Sequence, residues 1–424
     1  MREYYIWAIG FISFGYIIVM PLSLLLGIAS SSLNFYIRAA ELGLVLLILF
    51  FSVLQLRSNR GILLPLIIFF MIYGFRLIND VLFNDILMIY QSPIYVLGYF
   101  FGLTLIPVIA ISLLYRHEDV PMIFRDFLIL LVAANIMLML YALIFGNIEG
   151  GNAFSGRVQA ASELEGAALL GPIWIGLAGA MLASMLFGIL ATRRGTGKLC
   201  KIVAMLLMAI AGSNILFGAS RGPVVGLALS ILLFLFCPGR IMADVAGGGS
   251  RWRGWAITFG IIALSSLIVL FSESSIFLVD RFAKMYEEGL TSGVEARYII
   301  YKTAWQDFLS SPLIGTSYVV SFENSSPHNI VLESLMATGI LGSSFLFIAL
   351  WRALRGIIRL LRGLRGTEGT CLALLAVVQL AMGLTSGSIS QSPGLWISVA
   401  LVTVMGTPES SLCHQAHNRK RRMI

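Results

Sequence analysis

The sequence predicts an all-α fold, a polytopic membrane bundle of about twelve transmembrane helices with one large outer loop that contains short helices. The chain is 58% hydrophobic and only 12% charged, whereas soluble domains are about 25% charged. Its mean hydropathy is +0.91. Apolar runs of roughly 20 residues, each long enough to cross a bilayer, recur from end to end. We therefore expect residues 1–424 to form a single transmembrane domain.

The apolar runs predict twelve separate spans. The first is longer than the apolar core of a typical signal peptide, so we assign it to the membrane domain. The largest connection, residues 272–327, is predicted to form a loop subdomain between the ninth and tenth spans. The predicted spans are 5–26, 37–56, 61–79, 93–114, 121–146, 167–190, 201–219, 222–238, 254–271, 328–350, 371–388 and 392–407.

Basic residues test this count, because cytoplasmic loops carry an excess of lysine and arginine. With the N-terminus in the cytoplasm, 21 of the 29 lysines and arginines fall in cytoplasmic segments. Both termini are then cytoplasmic, and this distribution explains the net charge of +8 without a nucleic-acid partner. We expect membrane lipids among the partners. The other eight map to the outer side: Arg38, Arg76, Arg157, Arg221, Arg281, Lys284, Arg297 and Lys302.

Two arginines of the outer set, Arg38 and Arg76, sit inside apolar segments near their outer ends. An arginine there costs a few kcal/mol unless it snorkels or finds an anion. Snorkelling explains one such residue, whereas several on one face indicate a polyanion site. The four cysteines are scattered without the spacing of a zinc site or a disulfide framework. We expect no metal and no cofactor.

The outer loop contains a predicted amphipathic helix over 294–309. Its aromatic residues Tyr298, Tyr301, Trp305 and Phe308 fall on one helical face. One interpretation is a helix on the membrane surface with its aromatics buried. The other is a platform for sugar rings, whose C–H faces pack on aromatics. Both can hold together.

The start of the tenth span carries the candidate base. Ser326 suits an N-cap and Pro327 the first helical position, which puts His328 and Asn329 in the first turn. The positive end of the helix disfavours a protonated imidazole, so His328 would stay neutral and accept a proton. The alternative is that this segment only caps a helix. Glu333 either orients Asn329 or serves capping and packing.

A further stripe of arginines follows the tenth span. Arg352, Arg355, Arg359 and Arg362 share one side of the segment 351–365. We interpret this segment as an interfacial helix that anionic lipid holds and that anchors the topology.

The chemistry of the outer residues indicates a lipid pyrophosphate. Arginine suits bidentate phosphate recognition, and a neutral histidine is the usual base near pH 7. No ATP is available outside the membrane, so the substrate must carry its own leaving group.

At this point the sequence resembles the bacterial O-antigen ligase and O-antigen polymerase superfamily, over roughly residues 150–350. The matching motifs, in order around one outer loop, are Ser220-Arg221-Gly222, Arg297 with Trp305 and Pro312-Leu-Ile-Gly315, His328-Asn329 with Leu332-Glu333, and Gly339-Ile-Leu-Gly342. One departure is Gly315-Thr-Ser317, where the family often has Gly-x-Gly.

The resemblance implies a C-type glycosyltransferase-like fold in a bacterial inner membrane. It implies transfer of a glycan from undecaprenyl pyrophosphate to lipid A–core or to another repeat unit. Arg221 and Arg297 map to pyrophosphate binding, and His328 maps to the base that activates the acceptor hydroxyl. Ligases and polymerases share these motifs, so the resemblance does not separate them.

We therefore expect an inverting, metal-independent glycosyl transfer at the periplasmic face. Arg157, Arg38 and Arg76 would assist with the pyrophosphate, and Asn329, Glu333, Tyr298 and Trp305 complete the predicted substrate site. The alternative is a flippase or transporter for lipid-linked glycans. The missing internal repeat and the large loop on one side only are evidence against it. A structural subunit of an export complex would leave the intramembrane arginines unexplained.

Overall fold

The protein is a bundle of long apolar helices in the computed structural model. The model describes residues 2–25, 39–41, 43–44, 46–47, 61–87, 92–145, 160–161, 168–170, 172–192, 197–218, 220–237, 292–322 and 325–408. Eight helices within these ranges are long and apolar enough to cross a membrane. The predicted all-α, polytopic membrane fold is confirmed.

Twelve α-helices occur in the described part of the chain, together with one short antiparallel pair, β1 (Ala160–Ala161) and β2 (Ala168–Leu170). The helices are α1 (Arg2–Leu25), α2 (Leu64–Ile78), α3 (Pro93–Gly98), α4 (Ile106–Leu114), α5 (Val120–Phe145), α6 (Pro172–Thr192), α7 (Lys198–Gly218), α8 (Arg221–Phe236), α9 (Ser292–Ser310), α10 (Ile330–Leu361), α11 (Gly366–Thr385) and α12 (Pro393–Met405).

Most predicted spans have a helix at their place. The span predicted at 254–271 lies outside the described residues, and only a few residues of the span at 37–56 are described. The span predicted from 167 begins at Pro172, because β2 occupies residues 168–170. Of the predicted loop subdomain 272–327, the described part comprises α9 and the segment that follows it.

The arginine-rich segment 351–365, predicted as an interfacial helix after the tenth span, is not a helix of its own. It continues α10, which runs without interruption past Trp351 to Leu361. The reason is that Ala353, Gly356, Ile357 and Leu360 keep an apolar stripe buried against the bundle.

Helix α10 has a break at Gly339, whose φ of 61° and ψ of −166° lie outside the helical region. The segment 312–316 fills the break with backbone hydrogen bonds. Ile340 N–H donates to Pro312 O at 2.8 Å, and Thr316 N–H donates to Met336 O at 2.8 Å. The backbone groups that the break releases are thereby satisfied, as they must be in a membrane.

Two π-helical turns interrupt other spans. Residues Asn79–Phe83 extend α2, and Tyr99–Leu105 join α3 to α4 just before Pro107. Proline lacks an N–H and clashes with the preceding turn, which accounts for the second irregularity. Such turns are frequent at functional sites.

Polar contacts between helices also occur deep in the bundle. Asn214 Nδ2 of α7 donates to Asn135 O and Oδ1 of α5, both at 2.9 Å. Asn135 Nδ2 in turn donates to Ala178 O of α6 at 3.0 Å. Both asparagines are fully buried, so these bonds join three helices in the interior of the bundle.

The bundle has two distinct ends. At one end, α10 and α12 begin and α11 ends. At the other, arginines bond backbone carbonyls beside the ends of neighbouring helices: Arg352 Nη1 donates to Ile62 O at 2.7 Å and Arg359 Nη1 to Gly406 O at 3.1 Å. We call these the cavity end and the opposite end, because the first holds the cavity described next.

Candidate active site

A cavity of about 570 Å³ opens at the cavity end. One wall is apolar and comes from α1 and α6, and the other is rich in hydroxyl and amide groups from the segment between α11 and α12. The residues that line it include Ile12, Ser13, Tyr16, Ile17, Tyr95, Tyr99, Ile173, Trp174, Leu177, Met181, Arg297, Ser326, His328, Gln379, Ser386, Ser388, Gln391 and Ser392.

Arg297 is one of the two predicted catalytic residues that line the cavity. It lies in the first half of α9, which packs on α10 through Ile300 and Ala304. Its side chain is exposed, and its Nη2 lies 3.5 Å from Ser386 Oγ of the polar wall. A guanidinium there presents a fixed positive charge and several donors to the cavity.

His328 is the second predicted catalytic residue that lines the cavity, but its place in the helix was wrongly predicted. Helix α10 begins at Ile330 with Asn329 as its N-cap, and His328 precedes it with a positive φ of 54°. The chain therefore turns at His328, which exposes the imidazole to the cavity. Ser326 Oγ lies 3.4 Å from Nδ1 of His328, where it helps to orient the ring.

Asn329 takes the N-cap because it can bond in two directions. Its Oδ1 accepts from the N–H groups of Val331 and Leu332 at 3.0 and 3.1 Å. Its Nδ2 donates to Leu384 O of α11 at 3.0 Å, a tertiary bond that the shorter side chain of Ser326 does not make. Asn329 is not among the residues that line the cavity, so its predicted substrate contact gains no geometric support.

The side chain of Glu333 does not orient Asn329, contrary to one of the two predicted roles. It is fully buried and accepts three hydrogen bonds from distant residues. Tyr73 Oη donates to Oε1 at 2.6 Å, Ser388 Oγ to Oε1 at 3.2 Å and Ile389 N–H to Oε2 at 3.0 Å. Glu333 therefore holds the polar wall of the cavity from behind.

That polar wall, which was not predicted, comprises residues 386–392, and we call it the serine loop. Every second residue there is a serine, and Gln391 lies among them. This polar cluster between two apolar helices is the sequence signal that could have predicted the wall. Ser388 N–H donates to Ser392 Oγ at 3.3 Å, and Trp396 Nε1 donates to Ile389 O at 2.9 Å. The loop thus has internal and tertiary bonds that fix its shape.

Arg221, the third predicted catalytic residue, opens α8 beside the cavity but is not among its lining residues. The neighbouring Gly222 packs closely on α11. A Cβ added there would lie 2.8 Å from the sulfur of Met382, which itself lines the cavity. The first turn of α8 is therefore adjacent to the cavity rim.

Arg76 lies away from the cavity and has internal partners. Its Nε donates to Ala337 O at 3.0 Å and its Nη2 to Gly315 O at 2.8 Å. Its Nη1 is 3.6 Å from Asp80 Oδ1. These contacts attach α2 to the break in α10, so the geometry assigns Arg76 to the scaffold and gives no support to its predicted substrate contact.

The predicted aromatic stripe of α9 is divided between two faces. Tyr298 and Trp305 are 59% and 48% exposed, whereas Phe308 is only 6% exposed and lies with Ile300 and Ala304 on the buried face. The stripe thus lies at the edge between the exposed face of α9 and the face that packs on α10, where Tyr301 joins Ile300 and Ala304. Neither Tyr298 nor Trp305 lines the cavity.

Two predicted substrate residues, Arg38 and Arg157, lie outside the described residues. Within the described ranges, no cluster of three or more His, Cys, Asp or Glu side chains could hold a metal ion. The geometry thus brings Arg297, His328 and the serine loop together around one cavity, with Arg221 beside it. A cation, an imidazole and an array of hydroxyl groups suit a phosphorylated carbohydrate.

Comparison with known proteins finds a family model that matches part of the chain. Residues 203–347, about a third of the chain, match the family model described as O-Antigen ligase. No curated protein and no solved structure matches the chain. The match contains Arg221, Arg297 and His328, and it ends before the serine loop. Residues 203–347 are therefore similar to this family model, which supports the resemblance to the O-antigen ligase and polymerase superfamily that the motifs predicted.

Proposed function

We propose that the chain transfers a glycan from a polyprenyl pyrophosphate, of the undecaprenyl type, to an acceptor hydroxyl at the outer face of a bacterial inner membrane. The observation that carries the proposal is that Arg297 and His328, predicted as anion ligand and base, line one cavity. The acceptor is lipid A–core for a ligase or another repeat unit for a polymerase.

The donor would use the apolar wall of the cavity together with Arg297. Its polyprenyl tail suits the apolar side chains of α1 and α6, such as Ile12, Ile173 and Leu177. Its pyrophosphate suits the guanidinium of Arg297, with Arg221 approaching from the start of α8. Two arginines would neutralise the negative charge that grows on the leaving group during transfer.

The acceptor would lie against the serine loop. Its hydroxyl oxygen attacks the anomeric carbon and inverts it, while the bond from that carbon to the pyrophosphate oxygen breaks. The acceptor proton goes to His328, and the polyprenyl pyrophosphate leaves with the bonding electrons. Serine hydroxyl groups and the amide of Gln379 supply hydrogen-bond partners for sugar rings along this wall.

The test compares purified wild-type protein with His328→Ala and Arg297→Gln, using a lipid pyrophosphate glycan and an acceptor. Loss of a general base lowers a rate by roughly 10²–10⁴-fold, so His328→Ala should lose transfer to this extent and keep donor binding. Arg297→Gln should instead weaken donor binding, because it removes the cation.

Ser310→Ala is the matched control, since Ser310 is exposed in the same outer region and its only described bond is to Asp307 O. This variant should bind and transfer like wild type. Transfer by His328→Ala within a fewfold of wild type would refute the base assignment. Normal donor binding by every variant, together with flipping of the lipid and no transfer, would instead favour a flippase.

A further inference from the structure

A second cavity, of about 350 Å³, lies at the opposite end of the bundle. It is formed between α10, α12 and the residues that precede α2. Its lining consists of Gly61, Ile62, Arg352, Arg355, Gly356, Arg359, Thr403, Gly406 and Thr407. This volume lies within the range of small-molecule sites, about 300–1,000 Å³.

The charge of this cavity is strongly one-sided. Three arginines line it, and no acidic residue is among the lining residues of the described chain. The hydrogen bonds from Arg352 to Gly61 and Ile62 and from Arg359 to Gly406 all use Nη1. Each of these guanidiniums thus has further N–H groups beyond those backbone bonds.

The third arginine has its only described contact within its own helix. Arg355 Cζ lies 4.9 Å above the ring of Trp351, a cation–π contact that restrains the guanidinium without neutralising it. Arg355 is exposed, and among the described residues no backbone group fixes it. Because Arg355 also lines the cavity, its charge is available to a ligand there.

Close backbone packing gives the cavity a fixed floor. A Cβ added to Gly356 would collide with the carbonyl oxygen of Val402, so only glycine allows α10 and α12 to approach this closely. The arginines 352, 355 and 359 follow one another along α10 at spacings of three and four residues, which puts them on one face. The three cations are thus held together before any ligand arrives.

We propose that this second cavity is a binding site for a phosphate group, separate from the glycan cavity at the other end. Planar guanidiniums on a fixed floor suit the oxygens of a phosphodiester or phosphate. The two sources are the headgroup of an anionic phospholipid and a soluble phosphate. The opposite end is the one that the charge distribution predicts to be cytoplasmic, where anionic lipids attract basic pockets.

The experiment uses the purified full-length protein and measures bound phosphatidylglycerol by native mass spectrometry, with phosphatidylcholine as the neutral lipid. Arg355→Gln is the test variant, because no described backbone bond of Arg355 is lost. A charge-assisted hydrogen bond corresponds to about tenfold in affinity, so phosphatidylglycerol should bind about tenfold more weakly to this variant. Arg362→Gln is the control, since Arg362 is exposed one step along the same stripe and does not line the cavity.

Each outcome supports or overturns the site. Weaker binding in Arg355→Gln alone, with no competition from inorganic phosphate, supports the site and identifies a lipid headgroup. The same loss with competition from inorganic phosphate supports the site and identifies a soluble phosphate. Equal losses of phosphatidylglycerol binding in Arg355→Gln and Arg362→Gln would mean unspecific attraction and would overturn the proposal. Equal binding of phosphatidylglycerol and phosphatidylcholine, with no binding of inorganic phosphate, would overturn it too.

Discussion

At the scale of single residues, Glu333 shows how a buried side chain can shape a site that it does not enter. Three donors point at its two carboxylate oxygens, the pattern that suits an acceptor-only group. Two of these donors belong to the serine loop and the third to Tyr73 of α2. The carboxylate therefore joins α2, α10 and the serine loop in one network.

Glu333→Gln tests this positioning role. Glutamine has the same shape, but its amide nitrogen cannot accept a hydrogen bond, so at least one donor is left without its partner. Such a loss costs about 1–3 kcal/mol in a buried site. We expect a lower melting temperature in detergent and a raised KM for the acceptor, with donor binding unchanged.

Tyr73→Phe is the matched control for Glu333→Gln. It removes one donor of the same carboxylate and leaves both bonds to the serine loop, so the acceptor KM should stay near that of wild type. An unchanged acceptor KM in Glu333→Gln would contradict the positioning role and leave Glu333 with packing alone.

The hydrogen-bond partners of the Glu333 side chain could not be predicted from the sequence. The sequence suggested Asn329, four residues away, because local helix geometry was the only available guide. The actual partners are Tyr73 and Ser388, which are 260 and 55 residues away. Only the packing of α2 and α11 beside α10 brings them to the carboxylate.

At the scale of elements, the break in α10 at Gly339 determines where the outer segment after α9 is attached. The carbonyl of Ala337 accepts from Arg76 Nε, and Ile340 N–H donates to Pro312 O. Gly315, which turns the inserted segment, has a φ of 75° and packs against Ala337. The sequence motif around Gly315 therefore marks this docking point, even though its second glycine is replaced by Ser317.

Gly339→Ala should destabilise the protein for two reasons. An L-residue at a φ of 61° is strained by about 1–3 kcal/mol, and the new Cβ would collide with the backbone of Leu313. We expect a lower melting temperature of the purified protein. Gly212→Ala in the middle of α7 is the control, because a Cβ there meets no atom within 4 Å. Helix propensity predicts that it leaves stability unchanged or raises it by up to ~1 kcal/mol.

A melting temperature of Gly339→Ala equal to that of Gly212→Ala would show that the break in α10 is not a constrained feature.

The glycines at 339 and 342 are visible in the sequence, but the break is not, since the apolar pattern continues smoothly through both positions. Apolar runs therefore locate a membrane helix better than they reveal an interruption within it.

At the scale of the whole molecule, the sequence predicted most of the long helices that the structure describes and two residues of the cavity, Arg297 and His328, but not the wall that faces them. Apolar runs of about 20 residues have few alternatives to a helix in a membrane, which explains why α1, α5 and α11 lie where they were expected. The serine loop carries no charge and no metal-binding spacing. Its place in the structure depends on Trp396 and on Glu333, and Glu333 reaches it only in the folded bundle.

The last prediction concerns which end of the bundle faces outward. Arg116, Arg125, Lys198 and the arginines of α10 from Arg352 onward all belong to the opposite end, as expected if that end is cytoplasmic. Cys200 also lies there, at the start of α7, and it is exposed. Ser310 is exposed at the end of α9, the helix that brings Arg297 to the cavity.

The test uses cells whose outer membrane is permeabilised and whose inner membrane is intact. In these cells, a maleimide that cannot cross the inner membrane should not label the wild-type chain. The Ser310→Cys variant should be labelled under the same conditions, whereas Cys200 should react only after the inner membrane is opened. Cys200→Ser in the opened membranes is the control that assigns the labelling to Cys200.

If Cys200 reacts from outside and the thiol introduced by Ser310→Cys does not, the orientation is reversed. The cavity with Arg297 and His328 would then face the cytoplasm, where the proposed transfer has no outer acceptor.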